Sequence, residues 1–542
     1  MKPTDEIIAL WAELFPVHGY IAGLEEARGK LFFNTPDNRK AAFDRIEALE
    51  QRVGEIEDEN LSAAGGKLLR CFRAALTYVY PHSDVERCAW GLFVTMLKED
   101  FQAPFVPQYV GNVEQMLAME VEKWRGQEVP IELRKLCVDN ADFLLATLDI
   151  LREQNEALTQ LCEAAKRQLA AYRSLFYAED IDNRDFDTTL ALLRKESTGA
   201  RVTEGYEEIL RDLYDFPETA GELRTLALDW LGEEMPLLKA SADKLAERYG
   251  MGMGGSTVEE VYAEMIRRHP VSEDVIGQAH QLMEVANRYT AEHILGIGPE
   301  DQVDIQRMPV YLEPLGTSAM CQWMDELTEA IKIICYITPS RNESWLIMLS
   351  ALMHEFGHGF HASLTFRKTK EDLLKLGTTL VGPLTEAICF HRETELVEEV
   401  TSLLERKDLA PDEKAMLGLF GQSEEEQRLA IMGLELETLV ARILRFLRIL
   451  CDVEVNTALR SYPDFLDWAH DRTELSHKLI FEQTFVFLGD PGYAPCYAVA
   501  GNRLGELQRA ALARGVTRRE FNTKVSGMGF WPRTVYEQML SG

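Results

Sequence analysis

Two histidines, His354 and His358, stand four residues apart in the sequence H-E-F-G-H. On an α-helix this spacing puts both imidazoles on one face, one turn apart, with Glu355 beside them. Imidazoles arranged in this way bind zinc in many hydrolases, and the glutamate between them takes a proton from the water that attacks the substrate. The motif therefore predicts one zinc ion per chain, held by His354 and His358, with Glu355 as the general base.

A catalytic zinc ion needs a third protein ligand and one open position. A longer three-histidine motif would end at residue 364, but this residue is Leu364, and His361 follows too closely on the same helix. A second helical pattern begins after residues 381–383, with Glu386 in its first turn and Glu393 two turns later on nearly the same face. We predict Glu386 as the third ligand, and Glu393 and His361 as groups that hydrogen-bond around the ligands. The helix dipole also favours a glutamate in a first turn, so a purely structural role for Glu386 stays open.

A glycine-rich stretch at residues 489–492 leads into two tyrosines, Tyr493 and Tyr497. A phenol beside a zinc ion can donate a hydrogen bond to the negative oxygen that forms when a carbonyl is attacked. We therefore predict both tyrosines as catalytic residues. The same spacing is also typical of two half-buried tyrosines at the start of a helix, which is the competing interpretation.

Most of the chain shows apolar residues at three- and four-residue spacing, which predicts a mainly α protein. The helix that carries the histidine motif should begin near Trp345, because residues 342–344 include side chains that cap helix N-termini. Strand-like patterns are few. The best covers residues 330–337, directly before this helix, and a weaker one covers residues 310–312.

A glycine-rich break at residues 250–256 is the clearest change in composition along the chain. It divides the sequence into an N-terminal helical region, residues 1–249, and a region with the zinc motif, residues 257–542. We expect the second region to carry the catalytic groups, and the resemblance described below implies that the first forms part of the channel wall.

The composition narrows the range of partners and compartments. Lys and Arg number 57 against 89 Asp and Glu in 542 residues, a formal net charge of −32, which disfavours nucleic acids and anionic membranes as partners. The sequence has neither a signal-peptide pattern at its start nor an apolar run of the length that spans a membrane. Its nine cysteines include no C-x-x-C pair, so we expect reduced thiols and a cytoplasmic location. The oligomeric state stays unpredicted.

The chain resembles the glutamate-zincin metallopeptidases, and within them two families: thimet oligopeptidase with oligoendopeptidase F, and carboxypeptidase Taq. The patterns H-E-x-G-H-x-x-H, E-x-x-x-x-x-x-E and G-Y-x-x-x-Y occur here in the same order. The matching residues are His354, Glu355, Gly357, His358, His361, Glu386, Glu393, Gly492, Tyr493 and Tyr497. Pro495 also fits the carboxypeptidase pattern G-Y-x-P-x-Y, and the resemblance covers about residues 305–540.

The resemblance implies a neurolysin-like fold, mainly α, with two helical lobes around a deep substrate channel and a small β element beside the zinc helix. In such a fold a short strand before the zinc helix binds the substrate backbone. This role would fall to Ile334, Cys335 and Tyr336. The channel would admit only short unstructured peptides, so the implied activity is that of a zinc peptidase, more an oligopeptidase than a carboxypeptidase.

One stretch departs from both families. They have a histidine shortly before the first tyrosine, whereas residues 485–488 here are Phe, Val, Phe and Leu. A carboxypeptidase would also need a cation that binds a free terminal carboxylate. The candidates are Arg341, Lys332, Arg392 and Arg503. Three competing functions therefore stay open: carboxypeptidase action, hydrolysis of non-peptide amides by the same zinc site, and a non-catalytic helical zinc protein.

Overall fold

The computed structural model describes residues 2–199, 203–251, 255–325, 327, 331–368 and 382–541. Helices dominate these ranges, which confirms the predicted mainly α class. The first eleven are α1 Pro3–Leu14, α2 Pro16–Ile21, α3 Pro36–Glu50, α4 Glu59–Thr77, α5 Ser83–Leu97, α6 Val106–Trp124, α7 Ile131–Gln154, α8 Thr159–Leu175, α9 Phe186–Glu196, α10 Tyr206–Glu208 and α11 Ala220–Tyr249. A π-helical turn, Ile209–Leu213, follows α10 directly.

The remaining helices include those that carry the histidine motif, the two predicted glutamates and Tyr497. They are α12 Val258–Arg268, α13 Val275–His293, α14 Trp345–Lys368, α15 Pro383–Glu405, α16 Pro411–Gly418, α17 Glu424–Asn456, α18 Tyr462–Thr473, α19 His477–Thr484, α20 Pro495–Ala513, α21 Arg518–Ser526 and α22 Arg533–Ser541. The histidine motif is on α14, which begins at Trp345 as predicted. Glu386 and Glu393 are on α15, and α15 packs against both α14 and α20.

A three-stranded sheet lies beside α14, which confirms the predicted small β element. Its strands are β1 Asp304–Arg307, β2 Ala319–Met324 and β3 Lys332–Ile337, in the spatial order β1-β3-β2. The pairing of β3 is parallel with β1 and antiparallel with β2. The strand predicted at residues 330–337 is present as β3, and Ala330 lies outside the described residues. The strand predicted at residues 310–312 is wrong, because this segment forms a turn between Pro309 and Pro314.

Two large apolar cores hold the helices together. The smaller one joins α1, α3 and α4 to α15, α20, α21 and α22, so the start of the chain packs against its end. The larger one includes buried residues from α2 to α20, and within it α11 packs along α17. Both cores take side chains from either side of the break at residues 250–256, of which 252–254 lie outside the described residues. The division into two regions, and two lobes around a deep channel, stay predictions.

Among the helices of the described ranges, none combines the length and the apolar character needed to cross a lipid bilayer.

Candidate metal centre

Helix α14 carries the histidine motif through the interior of the protein. The Ser344 hydroxyl accepts a hydrogen bond from the Leu346 amide at 3.3 Å, as expected for a residue that caps the first turn. Leu349, Leu352 and Phe356 are almost completely buried, and they anchor the helix on its apolar sides. The imidazoles are therefore held on a helix with little freedom to move.

Helix α15 approaches α14 closely at the level of the motif. Gly357 makes this possible, because a Cβ atom at this position would lie 3.0 Å from the sulfur of Cys389 and 3.4 Å from its Cα. Gly382, just before α15, leaves similar room for the ring of Tyr493, whose Cε2 would lie 2.9 Å from an added Cβ. The two glycines bring the first turn of α15, and with it Glu386, to the histidines.

Three donor atoms converge between α14 and α15. The Nε2 atoms of His354 and His358 are 3.2 Å apart, and Oε2 of Glu386 lies 3.5 Å from the first and 3.7 Å from the second. Ligands placed tetrahedrally at about 2.0–2.1 Å from zinc lie about 3.3–3.4 Å from one another. Oε2 of Glu386 is also buried and has no hydrogen-bond partner among the described residues, which is costly unless a cation binds there. The predicted ligand set His354, His358 and Glu386 therefore fits a zinc ion.

Hydrogen bonds to the Nδ1 atoms fix the orientation of both imidazoles. His354 Nδ1 lies 2.7 Å from the Glu393 carboxylate, and His358 Nδ1 lies 3.1 Å from the Thr385 hydroxyl. With Nδ1–H donating in each case, each Nε2 keeps a free lone pair for a metal. Glu393 thus lies where it was predicted, and Thr385 is a residue that sequence reasoning missed.

His361 makes its hydrogen bonds to other groups than His354 and His358. Its Nδ1 lies 3.3 Å from the Thr385 hydroxyl, and its Nε2 lies 3.1 Å from the Gly529 carbonyl oxygen. Burial lowers the pKa of His361 to about 3, so the ring is neutral. Because the neutral ring donates from Nε2 to the Gly529 carbonyl, its Nδ1 must accept the hydrogen bond from the Thr385 hydroxyl. The Thr385 oxygen can then accept a hydrogen bond from Nδ1–H of His358. His361 therefore acts on His358 through Thr385.

Cys389 is a second candidate for the third ligand. Donor atoms of His354, His358 and Cys389 all lie within 4.8 Å of one another. Burial and the nearby Glu386 carboxylate raise the pKa of the Cys389 thiol well above its usual value, whereas metals bind the thiolate. The Glu386 oxygen is placed at ligand-to-ligand distance from both imidazoles, so we favour Glu386 over Cys389.

Glu355 lies beside the convergent atoms, on the side of the sheet. Its Oε2 accepts a hydrogen bond from the Cys321 amide of β2 at 2.6 Å. Burial raises the pKa of Glu355 to about 7, in the range that suits a group exchanging protons near neutral pH. Glu355 also lines a cavity of about 480 Å³ that His354 and Tyr497 border.

The two predicted tyrosines have different environments. The Tyr493 hydroxyl donates to Oε1 of Glu386, the carboxylate oxygen that does not face the histidines. Tyr497 packs its ring 6.3 Å from that of His354, and its hydroxyl makes no hydrogen bond within the ranges that the structure describes. Tyr493 therefore positions a predicted ligand, whereas the Tyr497 hydroxyl is free to bind a substrate.

The loop before Tyr493 is held by a buried carboxylate. Gly492 has a φ of +87°, and a Cβ there would lie 3.1 Å from both Ile209 and Tyr214. The Gly492 amide donates to Asp452 of α17 at 2.9 Å. This glycine and this aspartate together bring Tyr493 towards α15.

The cavity contains two cations that sequence reasoning missed, Arg445 and Arg448 of α17. Arg445 donates to Glu393 at 2.7 Å, and Arg448 donates to the backbone and side-chain oxygens of Gln483. The only feature of the sequence that could have indicated these two arginines was their three-residue spacing on one helix. This spacing is common on surface helices, so it does not identify residues of a site. The four cations proposed from the sequence, Arg341, Lys332, Arg392 and Arg503, do not line this cavity.

The predicted substrate-binding strand is wrong. Ile334, Cys335 and Tyr336 are on β3, the central strand, where each pairs with a residue of β1 and a residue of β2. Their backbone groups face these neighbours, so β3 has no free edge there. Within the described sheet it is β2 that forms the edge towards α14, and the Cys321 amide that reaches Glu355 points out of that edge.

Aromatic and cationic groups fill the region where the resembled families have a histidine. The Phe487 ring lies 6.4 Å from that of Tyr493 and 6.0 Å from that of Tyr497. The Arg448 guanidinium lies 4.4 Å from the Phe487 ring centroid and 5.2 Å from that of Tyr497. A cation on α17 thus lies beside the tyrosines.

Two solved structures have a fold similar to that of this chain. Neither a protein-family model nor a curated protein matches the chain. A crystal structure described as a "putative lipoprotein" from Colwellia psychrerythraea is similar, with a TM-score of 0.70 and 12% identity, covering 99% of this chain and 98% of that one. A "putative lipoprotein of unknown function" from Shewanella oneidensis is similar with a TM-score of 0.70 and 13% identity, covering 100% and 99%. At these identities the likeness establishes a shared fold and leaves the chemistry to the residues of this chain.

Proposed function

We propose that the protein is a zinc-dependent metallopeptidase that hydrolyses short unstructured peptides. The observation that carries this proposal is the convergence of His354 Nε2, His358 Nε2 and Glu386 Oε2, with Glu355 beside them. The Glu386 oxygen has no hydrogen-bond partner in the part of the chain that the structure describes. Two imidazoles, one carboxylate and an adjacent glutamate are the set of groups that zinc hydrolases use.

The roles of the residues follow from their contacts. A bound zinc ion would supply Lewis-acid activation of the attacking water and of the substrate carbonyl. Glu355 takes the proton that the water releases and passes it to the leaving amine. The free hydroxyl of Tyr497 donates a hydrogen bond to the carbonyl oxygen as it becomes negative. Tyr493 and Glu393 hold Glu386 and His354 in place.

The size of the cavity supports short peptides as the substrate class. A volume of about 480 Å³ lies within the range of small-molecule sites and holds only a few residues of extended chain. β2 is an edge strand of the described sheet, so an extended chain can pair along its outer side, where the Cys321 amide already donates to Glu355.

A peptide library tests the proposal. The zinc-loaded protein is incubated with short unstructured peptides, and the products are read by mass spectrometry beside Glu355→Gln. Glu424→Gln, an exposed change on α17, serves as the matched control. We expect cleavage by the wild type and the control, and none by Glu355→Gln with zinc still bound.

Two results would contradict the proposal, and each points to a different function. Hydrolysis of non-peptide amides without cleavage of any peptide would indicate an amide hydrolase that uses the same zinc site. Zinc binding without hydrolysis of either class would indicate a non-catalytic helical zinc protein.

We also propose a cytoplasmic location. All nine cysteines are free thiols, and eight of them are buried. Both similar structures are described as a "putative lipoprotein", so the competing location is outside the cytoplasm. Fractionation of cells that produce the protein from its native gene, with detection by antibody, decides between the two.

A further inference from the structure

Glu437 is a buried carboxylate in the cavity beside the metal centre. It belongs to α17, lines the cavity and is only 7% exposed. Its Oε2 accepts a hydrogen bond from the Tyr262 hydroxyl at 2.5 Å. Its Oε1 has no hydrogen-bond partner within the ranges that the structure describes. One oxygen of this carboxylate is therefore available to a group that enters the cavity.

The groups around Glu437 do not fully stabilise its negative charge. Among the described residues, no lysine, arginine or histidine forms an ion pair with it. Burial raises the pKa of Glu437, and the nearby Glu393 carboxylate raises it further. The Tyr262 hydroxyl and the Arg445 guanidinium lower the pKa by less, so it stays above its ordinary value. A cation that binds beside this carboxylate would supply the missing stabilisation.

The position of Glu437 along α17 gives its distance from the metal ligands. Arg445 donates to Glu393 at 2.7 Å, and Glu393 lies 2.7 Å from His354 Nδ1, so Arg445 is at the level of the metal centre. Glu437 comes eight residues earlier, which is about 12 Å along a helix. An extended peptide advances about 3.3–3.6 Å per residue. A substrate group at Glu437 therefore lies about three or four residues from the bond that is cleaved.

This end of the cavity suits a positively charged partner. The Tyr262 ring lines the cavity beside the carboxylate, and an aromatic face with an adjacent carboxylate is a combination that binds ammonium groups. The two arginines that line the cavity, Arg445 and Arg448, come eight and eleven residues later on α17, towards the metal centre. The chain as a whole has a formal net charge of −32, which attracts positively charged peptides.

We infer that Glu437 binds a positively charged group of the peptide substrate, so that the enzyme prefers peptides with an ammonium or guanidinium group about three or four residues from the cleaved bond. The side chain of a lysine or arginine supplies such a group, and so does the amino terminus of a short peptide. This inference rests on the proposed peptidase function and specifies its substrate class.

The first test compares substrates of the wild type. A peptide that it cleaves is made with both ends blocked and with one lysine, placed in turn at each position on either side of the cut. A matched series carries norleucine, which is uncharged and has the same hydrocarbon chain. We expect kcat/KM to be about 10- to 100-fold higher for lysine about three or four residues from the cut on one side, as a charge-assisted hydrogen bond implies. The difference should be smaller at the other positions.

A further pair of peptides identifies the source of the positive charge. Both peptides lack charged side chains and begin about three or four residues before the cut, and only one of them has an acetylated amino terminus. If acetylation lowers kcat/KM and the lysine series shows no preference, the bound group is the amino terminus. If neither comparison shows a difference, the inference is overturned.

The second test changes Glu437 itself. Glu437→Gln keeps the shape of the side chain and an oxygen that can accept from the Tyr262 hydroxyl. It should lower kcat/KM for the preferred lysine peptide to that for the norleucine peptide. Glu435→Gln removes the same charge from an exposed position of the same helix and should keep the whole difference. A preference that survives Glu437→Gln assigns the binding of the cation to another group and overturns the inference.

The results separate the two proposals. Equal cleavage of all peptides by the wild type overturns the inference but leaves the peptidase intact, and this comparison does not depend on the folding of any variant. Cleavage of no peptide at all removes the proposed function. Calorimetry with the same peptides on zinc-loaded Glu355→Gln then tests the inference without turnover, and equal affinity for the lysine and norleucine series would overturn it.

Discussion

The change Glu386→Gln probes the proposed metal centre most sharply. Glutamine has the shape of glutamate, and its amide oxygen can still accept the hydrogen bond from the Tyr493 hydroxyl. The change removes the negative charge from the oxygen that faces His354 Nε2 and His358 Nε2 at 3.5 and 3.7 Å. A neutral amide is a poor zinc ligand, so two of the three protein ligands remain.

The expected loss follows from the number of ligands. Zinc binds to protein sites with apparent free energies of about 10–16 kcal/mol. Removing one of three protein ligands should cost on the order of 3–4 kcal/mol, which weakens the Kd for zinc roughly 10²- to 10³-fold. Glu393→Gln, which weakens the hydrogen bond to His354 and the ion pair with Arg445 but removes no ligand, should weaken the Kd for zinc by about 10- to 100-fold.

The assay is competition for zinc between the metal-free protein and a chromogenic chelator, with circular dichroism to show that each variant is folded. Cys389→Ala is the matched control, because Cys389 is on the same helix and is the rival third ligand. We expect this control to keep the wild-type Kd. Unchanged affinity in Glu386→Gln, or a large loss in Cys389→Ala, would refute the ligand assignment.

Three further predictions follow from the contacts around the site. Tyr497→Phe should lower kcat at least tenfold with zinc affinity unchanged, whereas Tyr493→Phe should weaken zinc binding; equal effects on both readouts would contradict the separate roles. Thr385→Val breaks the link between His358 and His361 and should weaken zinc binding about tenfold, whereas Thr385→Ser should bind as the wild type does, which the same chelator competition checks. Burial raises the pKa of Asp452 to about 8, so the folded protein keeps a proton that the unfolded chain releases near pH 4. The free energy of unfolding in urea should therefore fall as pH rises from about 4 to about 8, and Asp452→Asn should flatten this dependence; an unchanged slope would show that Asp452 is ionised in the folded state.

Local patterns predicted the parts of the site that depend on one helix. The spacing of His354 and His358 fixes their common face once the helix exists, and the start of that helix at Trp345 follows from its capping residues. Glu386 and Glu393 were also predictable, because seven residues along one helix return to nearly the same face. These residues needed no knowledge of tertiary packing beyond the approach of α15 to α14.

Contacts between distant elements could not be predicted in the same way. Arg445 and Arg448 belong to the site only because α17 packs against α15, and no local pattern in α17 indicates which face does so. Thr385 was missed because threonine beside a predicted ligand has many ordinary uses. Its contact with two histidines depends on the separation of α14 and α15.

The order of the strands in the sheet also could not be predicted from local patterns. The sequence of β2, A-M-C-Q-W-M, lacks the strict alternation that predicts a strand, so it went unrecognised. With β2 unknown, β3 was expected to be the strand that binds substrate, although β1 and β2 occupy both of its edges. Strand order is a property of the assembled sheet, and the pattern of a single strand does not contain it.

We propose that a single zinc ion drives peptide hydrolysis, with His354, His358 and Glu386 as its ligands. Glu355 is the base. A titration of the metal-free protein with zinc, while the cleavage of one library peptide is followed, tests this for the wild type and for Glu355→Gln. We expect no cleavage without metal, a linear rise that ends at one equivalent for the wild type, and equal zinc binding without cleavage for Glu355→Gln. Cleavage that is independent of zinc, or a fully active Glu355→Gln, would contradict the proposed mechanism.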